Sequence, residues 1–134
     1  MSLDITQTAL PERKRILVVE DLEALRRLYA ITLSAHFEVD AASNAIIALE
    51  KIVNDRPLAV ILDIRMPGRM SGLDLCRHIK ASDNFRDIKV VIVTGSGQPL
   101  DRQAGIRLGA DAFFQKPLSP SALLGCLLSL TEPH

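Results

Sequence analysis

Five short apolar runs alternate along the chain with longer segments of helical period. The first run, Ile16-Leu17-Val18-Val19, reads as a strand and stops at Glu20-Asp21. A helix follows, with Leu25, Leu28, Ile31 and Ala35 as its apolar stripe. Phe37 to Ala41 then alternates apolar and polar, the period of a half-buried or edge strand. Ser43 is placed to cap a second helix striped by Ala45, Ala48, Leu49 and Ile52. After Pro57, the unbroken run Leu58 to Leu62 has the character of a central parallel strand, and Asp63 ends it. A loop containing Pro67, Gly68, Ser71 and Gly72 leads into a third helix with Leu75, Cys76 and Ile79. Val90 to Val93 forms the fourth run, closed by Thr94 and followed by Gly95-Ser96-Gly97. A weaker helix over about 101–108 stops at Gly109. Ala112 to Gln115 is a short fifth strand ending at Lys116-Pro117. Ser119-Pro120, a capping residue before a first-turn proline, opens a last helix through about Ser129.

Strict alternation of strands with crossovers long enough for a helix predicts an α/β fold, a doubly wound parallel sheet of five strands with helices on both faces. The flavodoxin-like strand order is 2-1-3-4-5, with its ligand crevice outside the carboxyl ends of the first and third strands. The expected organisation is a tail over 1–13, one domain over 14–130 and a short tail over 131–134.

Size supports that reading. A chain of 14.7 kDa folds to a surface of roughly 7,000 Å² and buries about two-thirds of what it exposes unfolded, enough for a core without staples. Sixteen basic and sixteen acidic residues cancel, so the basic excess that nonspecific binding to nucleic acid or anionic membrane requires is missing. No apolar run approaches a membrane span, and 1–15 holds no long apolar segment of a secretory signal, which reads as cytoplasmic. Cys76 and Cys126 form no C-x-x-C, and His36, His78 and His134 are dispersed; neither set has metal-ligand spacing.

The polar residues that close the strands carry the chemistry. Glu20 and Asp21 end the first, Asp63 the third, Thr94 the fourth and Lys116 the fifth. Two carboxylates about 5 Å apart repel by roughly 3 kcal/mol at an effective dielectric of about 20, so three of them call for a cation. Oxygen ligands with room for water suit Mg²⁺. The Lys116 ammonium opposite the metal and the Thr94 hydroxyl complete a pocket for three phosphoryl oxygens. Asp63, central in the group, suits the in-line nucleophile, with Glu20 and Asp21 holding the ion.

Four segments carry a resemblance to a known family: Val18-Val19-Glu20-Asp21, Leu62-Asp63-Ile64-Arg65-Met66-Pro67-Gly68, Val93-Thr94-Gly95 and Phe113-Phe114-Gln115-Lys116-Pro117. In order, each at a strand end, they resemble the receiver domains of two-component response regulators, the CheY-like family, over about 14–129. The resemblance implies that Asp63 accepts phosphate from the phosphohistidine of a sensor histidine kinase or phosphotransfer protein. It implies Mg²⁺ held by Glu20, Asp21, Asp63 and the Arg65 backbone carbonyl, and Lys116 paired with the acceptor. Thr94 and Phe113 match the family's switch hydroxyl and aromatic, and Lys116-Pro117 its cis peptide. Glu20 departs from the commoner first Asp, the 67–72 loop is one residue longer than usual with Arg69 at its middle, and Gly95 and Ser96 flank the pocket after Thr94.

Other readings of these residues remain. Glu20-Asp21 can cap the first helix as well as bind metal. Of the neighbours Phe113 and Phe114, one must face each side of the strand. The last helix has too many leucines for one stripe; Leu123, Leu127 and Leu130 would dock on the sheet and leave Leu124 or Leu128 outside, suggesting a homodimer through the face of the fourth helix, fifth strand and last helix, or an output partner. An Mg²⁺-dependent aspartyl-phosphate phosphohydrolase is the alternative, but its leaving-group acid would stand at Arg65, which cannot give up a proton. A flavin carrier would meet repulsion from Glu20-Asp21, and no nucleotide-binding P-loop is present. The expected role is therefore signalling, with only self-phosphorylation and autodephosphorylation chemistry.

Overall fold

The computed structural model describes residues 13–95 and 97–132. Ser96, His134 and most of the proposed N-terminal tail lie outside that range. The strands are β1 (Arg15–Val19), β2 (Glu38–Ala42), β3 (Ala59–Leu62), β4 (Lys89–Thr94) and β5 (Ala112–Gln115). The helices between and after them are α1 (Glu23–Leu33), α2 (Ala45–Asn54), α3 (Gly72–Ala81), α4 (Pro99–Arg107) and α5 (Pro120–Thr131). All pairings are parallel and the order is β2-β1-β3-β4-β5, as the alternation predicts.

Alternation along the strands divides the core in two. Leu17, Val19, Val60, Leu62, Val90 and Ile92 face α2 and α3, meeting Ala48, Ile52, Leu75 and Ile79. Ile16, Val18, Ala59, Ile61, Val91 and Val93 face α1 and α5, meeting Tyr29, Leu33, Leu123 and Leu127. A sheet buried on both faces needs such continuous apolar strands.

Several local expectations are corrected. The stripe of α1 is Leu25, Tyr29 and Leu33, stacked at four-residue intervals; Ile31 is 73% exposed, Leu28 is also exposed, and Ala35 lies beyond the helix. Asn44, not Ser43, caps α2: it directly precedes the first helical residue, and its side chain accepts the Ile47 N–H at 2.9 Å. Leu58 is exposed and precedes β3, and Phe37 is buried just before β2. Helix α4 begins at Pro99, two residues earlier than expected, and α5 runs two residues past Ser129. Ser119 caps α5 through the Ala122 N–H, and Gly109 takes φ +99° after α4, both as read from the sequence. Leu124 and Leu128 are half-buried against the α1 side of the core rather than left outside.

Candidate functional site

Register brings the acids together. Val19 pairs with Leu62, so the next residues, Glu20 and Asp63, leave adjacent strands side by side at the carboxyl edge. Thr94 pairs with Gln115, and the Lys116 N–H donates to the Thr94 carbonyl at 2.8 Å, which sets Lys116 at the same edge. Its ammonium donates to Glu20 Oε1 at 2.7 Å and Asp63 Oδ2 at 2.9 Å. Glu20 is 2% exposed and Asp63 8%, while Thr94 is fully buried at the end of β4. The Lys116–Pro117 peptide is cis.

Carboxylate oxygens of Glu20, Asp21 and Asp63 lie within 4.8 Å of one another, with Asp21 exposed to solvent. Three carboxylates against one ammonium leave the group negative, and an all-oxygen donor set of this spacing suits a hard divalent cation. Burial pushes the Glu20 carboxyl above its ordinary value, against the lowering effect of the Lys116 and Leu22 hydrogen bonds. Burial alone would lower the Lys116 ammonium, but Glu20 and Asp63 together outweigh it and raise it. A carboxylate so strained by desolvation is one that a bound cation favours.

Glu20 and Asp21 do not cap α1. Leu22 is the N-cap and makes no side-chain cap bond; instead the Leu22 N–H donates to Glu20 Oε2 at 3.1 Å, turning that side chain toward the acids. Arg65 opens the loop after Asp63, and its N–H donates to Asp63 Oδ1 at 3.1 Å. Both Asp63 carboxylate oxygens are therefore engaged, one by the backbone and one by Lys116. Phe113 and Phe114 are both half-buried and pack on opposite faces of the sheet; Phe113 faces the α2–α3 side, with the Arg102 guanidinium 5.5 Å from its ring centre. Cys76 is buried and its thiol is pushed up to about 11 by desolvation, an inert core residue.

Three more residues shape the site: Arg26, which the sequence did not single out, and Gly68 and Gly72, which it showed only as loop residues. Arg26 of α1 donates to the Glu20 carbonyl at 2.8 Å and holds the acidic loop. Gly72 packs so closely under Asp63 that a Cβ there would fall 1.9 Å from the Asp63 carbonyl oxygen. Its N–H donates to the Ile64 carbonyl, closing the long loop, in which Gly68 takes φ +109°.

A family model described as the response regulator receiver domain matches residues 16–127. Response regulator MprA of Mycobacterium sp. (strain KMS) is 37% identical over 123 residues, 89% of this chain and 52% of that protein. MprA of Mycobacterium tuberculosis (strain ATCC 25177 / H37Ra) is 36% identical over 124 residues. The chain thus spans about half the length of these relatives. Among solved structures it is similar to chemotaxis protein CheY4 of Vibrio cholerae, with TM-score 0.81 and 27% identity over 88% of this chain and 98% of that one. A CheY-like receiver domain protein from Methanospirillum hungatei JF-1 gives TM-score 0.81 at 31% identity, over 88% of this chain and 93% of that one. With its strand order, its acid cluster and these likenesses in agreement, the chain belongs to the response regulator receiver domains.

Proposed function

We propose that Asp63 is the phosphoacceptor, within a domain over 14–130, and that its partner is a sensor histidine kinase or phosphotransfer protein. The observation that carries this is the Lys116 ammonium bonded to both Glu20 and Asp63, with Asp21 completing the cluster. An Asp63 oxygen attacks the phosphorus of a phosphohistidine, the P–N bond breaks, and the imidazole leaves with the electron pair and takes up a proton. Glu20, Asp21, Asp63 and the Arg65 carbonyl are the residues to hold Mg²⁺, which when bound supplies positive charge against the phosphoryl oxygens. Lys116 then holds the phosphoryl group from the other side.

Phosphorylation adds nearly two negative charges and three acceptor oxygens beside Thr94. Thr94 as the switch hydroxyl and Phe113 as the switch aromatic are supported by the place of Thr94 at the end of β4 and of Phe113 in the adjacent β5, where it pairs with Ile92. Loss of the phosphoryl group to water is self-chemistry of a signalling domain rather than turnover of a substrate. The phosphohydrolase reading is not favoured: the position that should supply its acid is Arg65, and that guanidinium is paired with Asp101.

Among the described residues no helix is long and apolar enough to cross a membrane, which fits the cytoplasmic setting a kinase partner requires. We also assign the α4-β5-α5 face to a homodimer, supported by Leu100, 75% exposed, and the exposed Ile106 on α4. Sedimentation with and without a phosphate mimic tests it; a monomer under both conditions removes it.

The central experiment is intact mass after treatment with acetyl phosphate and Mg²⁺. The wild type should gain one phosphoryl group, Asp63→Asn none, and prior chelation should block the gain. An equal adduct on Asp63→Asn would move the acceptor elsewhere.

A further inference from the structure

Helix α4 is lightly held: Gly105 is its buried residue, and its apolar side chains Leu100 and Ile106 point to solvent. Two consecutive residues of this helix nevertheless reach toward the phosphorylation machinery. Asp101 Oδ2 accepts from Arg65 Nη2 at 3.2 Å, and Arg102 lies over the Phe113 ring. Arg65 is in contact with the acceptor by its backbone, through the N–H bonded to Asp63 Oδ1, and with α4 by its side chain. Its side chain is 67% exposed and that of Asp101 19%, so the guanidinium stands largely in solvent while the carboxylate is mostly enclosed. Asp21, Arg65, Ser71 and Asp101 line one cleft of about 550 Å³ beside the acceptor, which gives the guanidinium room to swing.

We propose that Asp101 is a positioning residue that holds Arg65 away from the acceptor, and that phosphorylation of Asp63 draws the Arg65 guanidinium from Asp101 to the phosphoryl group and releases the start of α4. This rests on reading Asp63 as the phosphoacceptor. Before phosphorylation one Asp63 oxygen accepts from Lys116 and the other from the Arg65 N–H, so the carboxylate offers a guanidinium fork no free pair of oxygens. Afterwards it carries a nearly dianionic group whose oxygens match the planar guanidinium fork, and Arg65 is anchored two residues away. A modification shifts a two-state equilibrium only by bonding the two states differently. Exchange of Arg65 between Asp101 and the phosphoryl group is such a difference. Because Arg102 follows Asp101 directly, loosening that turn also loosens the cover over Phe113.

The test titrates beryllofluoride with Mg²⁺ into the wild type, Asp101→Asn, Arg65→Gln and the double variant. Affinity is read by calorimetry, and the amides of 100–102 by nuclear magnetic resonance. Freeing Arg65 in Asp101→Asn should tighten beryllofluoride two- to fivefold, the range that loss of an exposed ion pair allows. In the Arg65→Gln background the same substitution should change nothing. Amides of 100–102 should move when the wild type binds, and should already be displaced in free Asp101→Asn and free Arg65→Gln. An unchanged affinity in Asp101→Asn, or an equal change with and without Arg65, would overturn the proposal. A wild type that takes up no beryllofluoride would instead overturn the phosphoacceptor reading on which it rests.

Discussion

Lys116 Nζ stands 2.9 Å from Asp63 Oδ2 across 53 residues of sequence, and the same nitrogen lies 2.7 Å from Glu20. The lysine is thus the counter-charge of two buried acids in the metal-free protein. Removing one partner of a buried charge group leaves the other uncompensated, at a cost of about 3 kcal/mol. Lys116→Met should accordingly lower the melting temperature by about 10 °C for a domain of this size. Added Mg²⁺ should restore part of that loss, since a cation among the same carboxylates replaces the missing ammonium. Thermal denaturation with and without Mg²⁺ checks both statements; a variant as stable as the wild type without metal would contradict the counter-charge role.

Gly72 and Gly125 make an internal contrast. A Cβ at Gly72 would overlap the Asp63 carbonyl oxygen at 1.9 Å and crowd the Ile64 backbone, and backbone cannot rotate away. Gly72→Ala should cost more than about 2 kcal/mol and displace the Asp63 backbone at the end of β3. Gly125 is exposed within α5 with nothing within 4 Å of its added carbon. Gly125→Ala should stabilise by about 0.5–1 kcal/mol through helix propensity and a more restricted unfolded chain. Chemical denaturation of the two variants should therefore move in opposite directions.

β1, β3 and β4 were legible because apolar runs of four or five residues closed by a polar side chain are too short for a buried helix, and with them and the shorter β5 run came Glu20, Asp63, Thr94 and Lys116 at one edge. The stripe of α1 was misread because Leu28 and Ile31 are apolar yet exposed, and Tyr29, with its hydroxyl, is the buried residue. Hydrophobicity alone does not separate the two when a helix carries more apolar residues than one face needs. The Asp101–Arg65 and Arg102–Phe113 contacts join residues 36 and 11 positions apart through tertiary packing, for which no local pattern exists.

The start of α3 ties the geometry of the loop after Asp63 to acidity. Ser71 and Asp74 form a reciprocal capping box: the Asp74 N–H donates to Ser71 Oγ at 3.1 Å, and the Ser71 N–H to Asp74 Oδ2 at 3.0 Å. The bond from the Ser71 backbone, then its side chain, holds the Asp74 carboxyl below its ordinary 3.8. A carboxyl lowered by folding contributes stability above its unfolded value, and that contribution disappears as pH falls through the folded value. Ser71→Ala should cost about 1 kcal/mol at neutral pH. Asp74→Asn should be less stable than the wild type at pH 7, with the gap closing below pH about 4. Parallel urea titrations at pH 7 and pH 3 read it; a gap of constant size would mean that the charged form is not what the cap uses.

Glu20 carries the opposite sign. Its carboxyl is raised by burial above 4.5, so the folded protein binds that proton more tightly than the unfolded chain. In the window between the unfolded and folded values, stability of the metal-free protein from this group increases as pH falls and decreases as pH rises. A divalent cation held by Glu20, Asp21 and Asp63 needs the ionised form and so competes with the proton. Mg²⁺ at a hundred times its dissociation constant should stabilise the wild type by about 2.7 kcal/mol. That gain should shrink as pH is lowered into the Glu20 window, and the shrinkage should be smaller in Glu20→Gln, which has no proton to lose there. Melting curves at paired pH values with Mg²⁺ and with chelator give the comparison. A pH dependence identical in wild type and Glu20→Gln would assign the competing proton to another group.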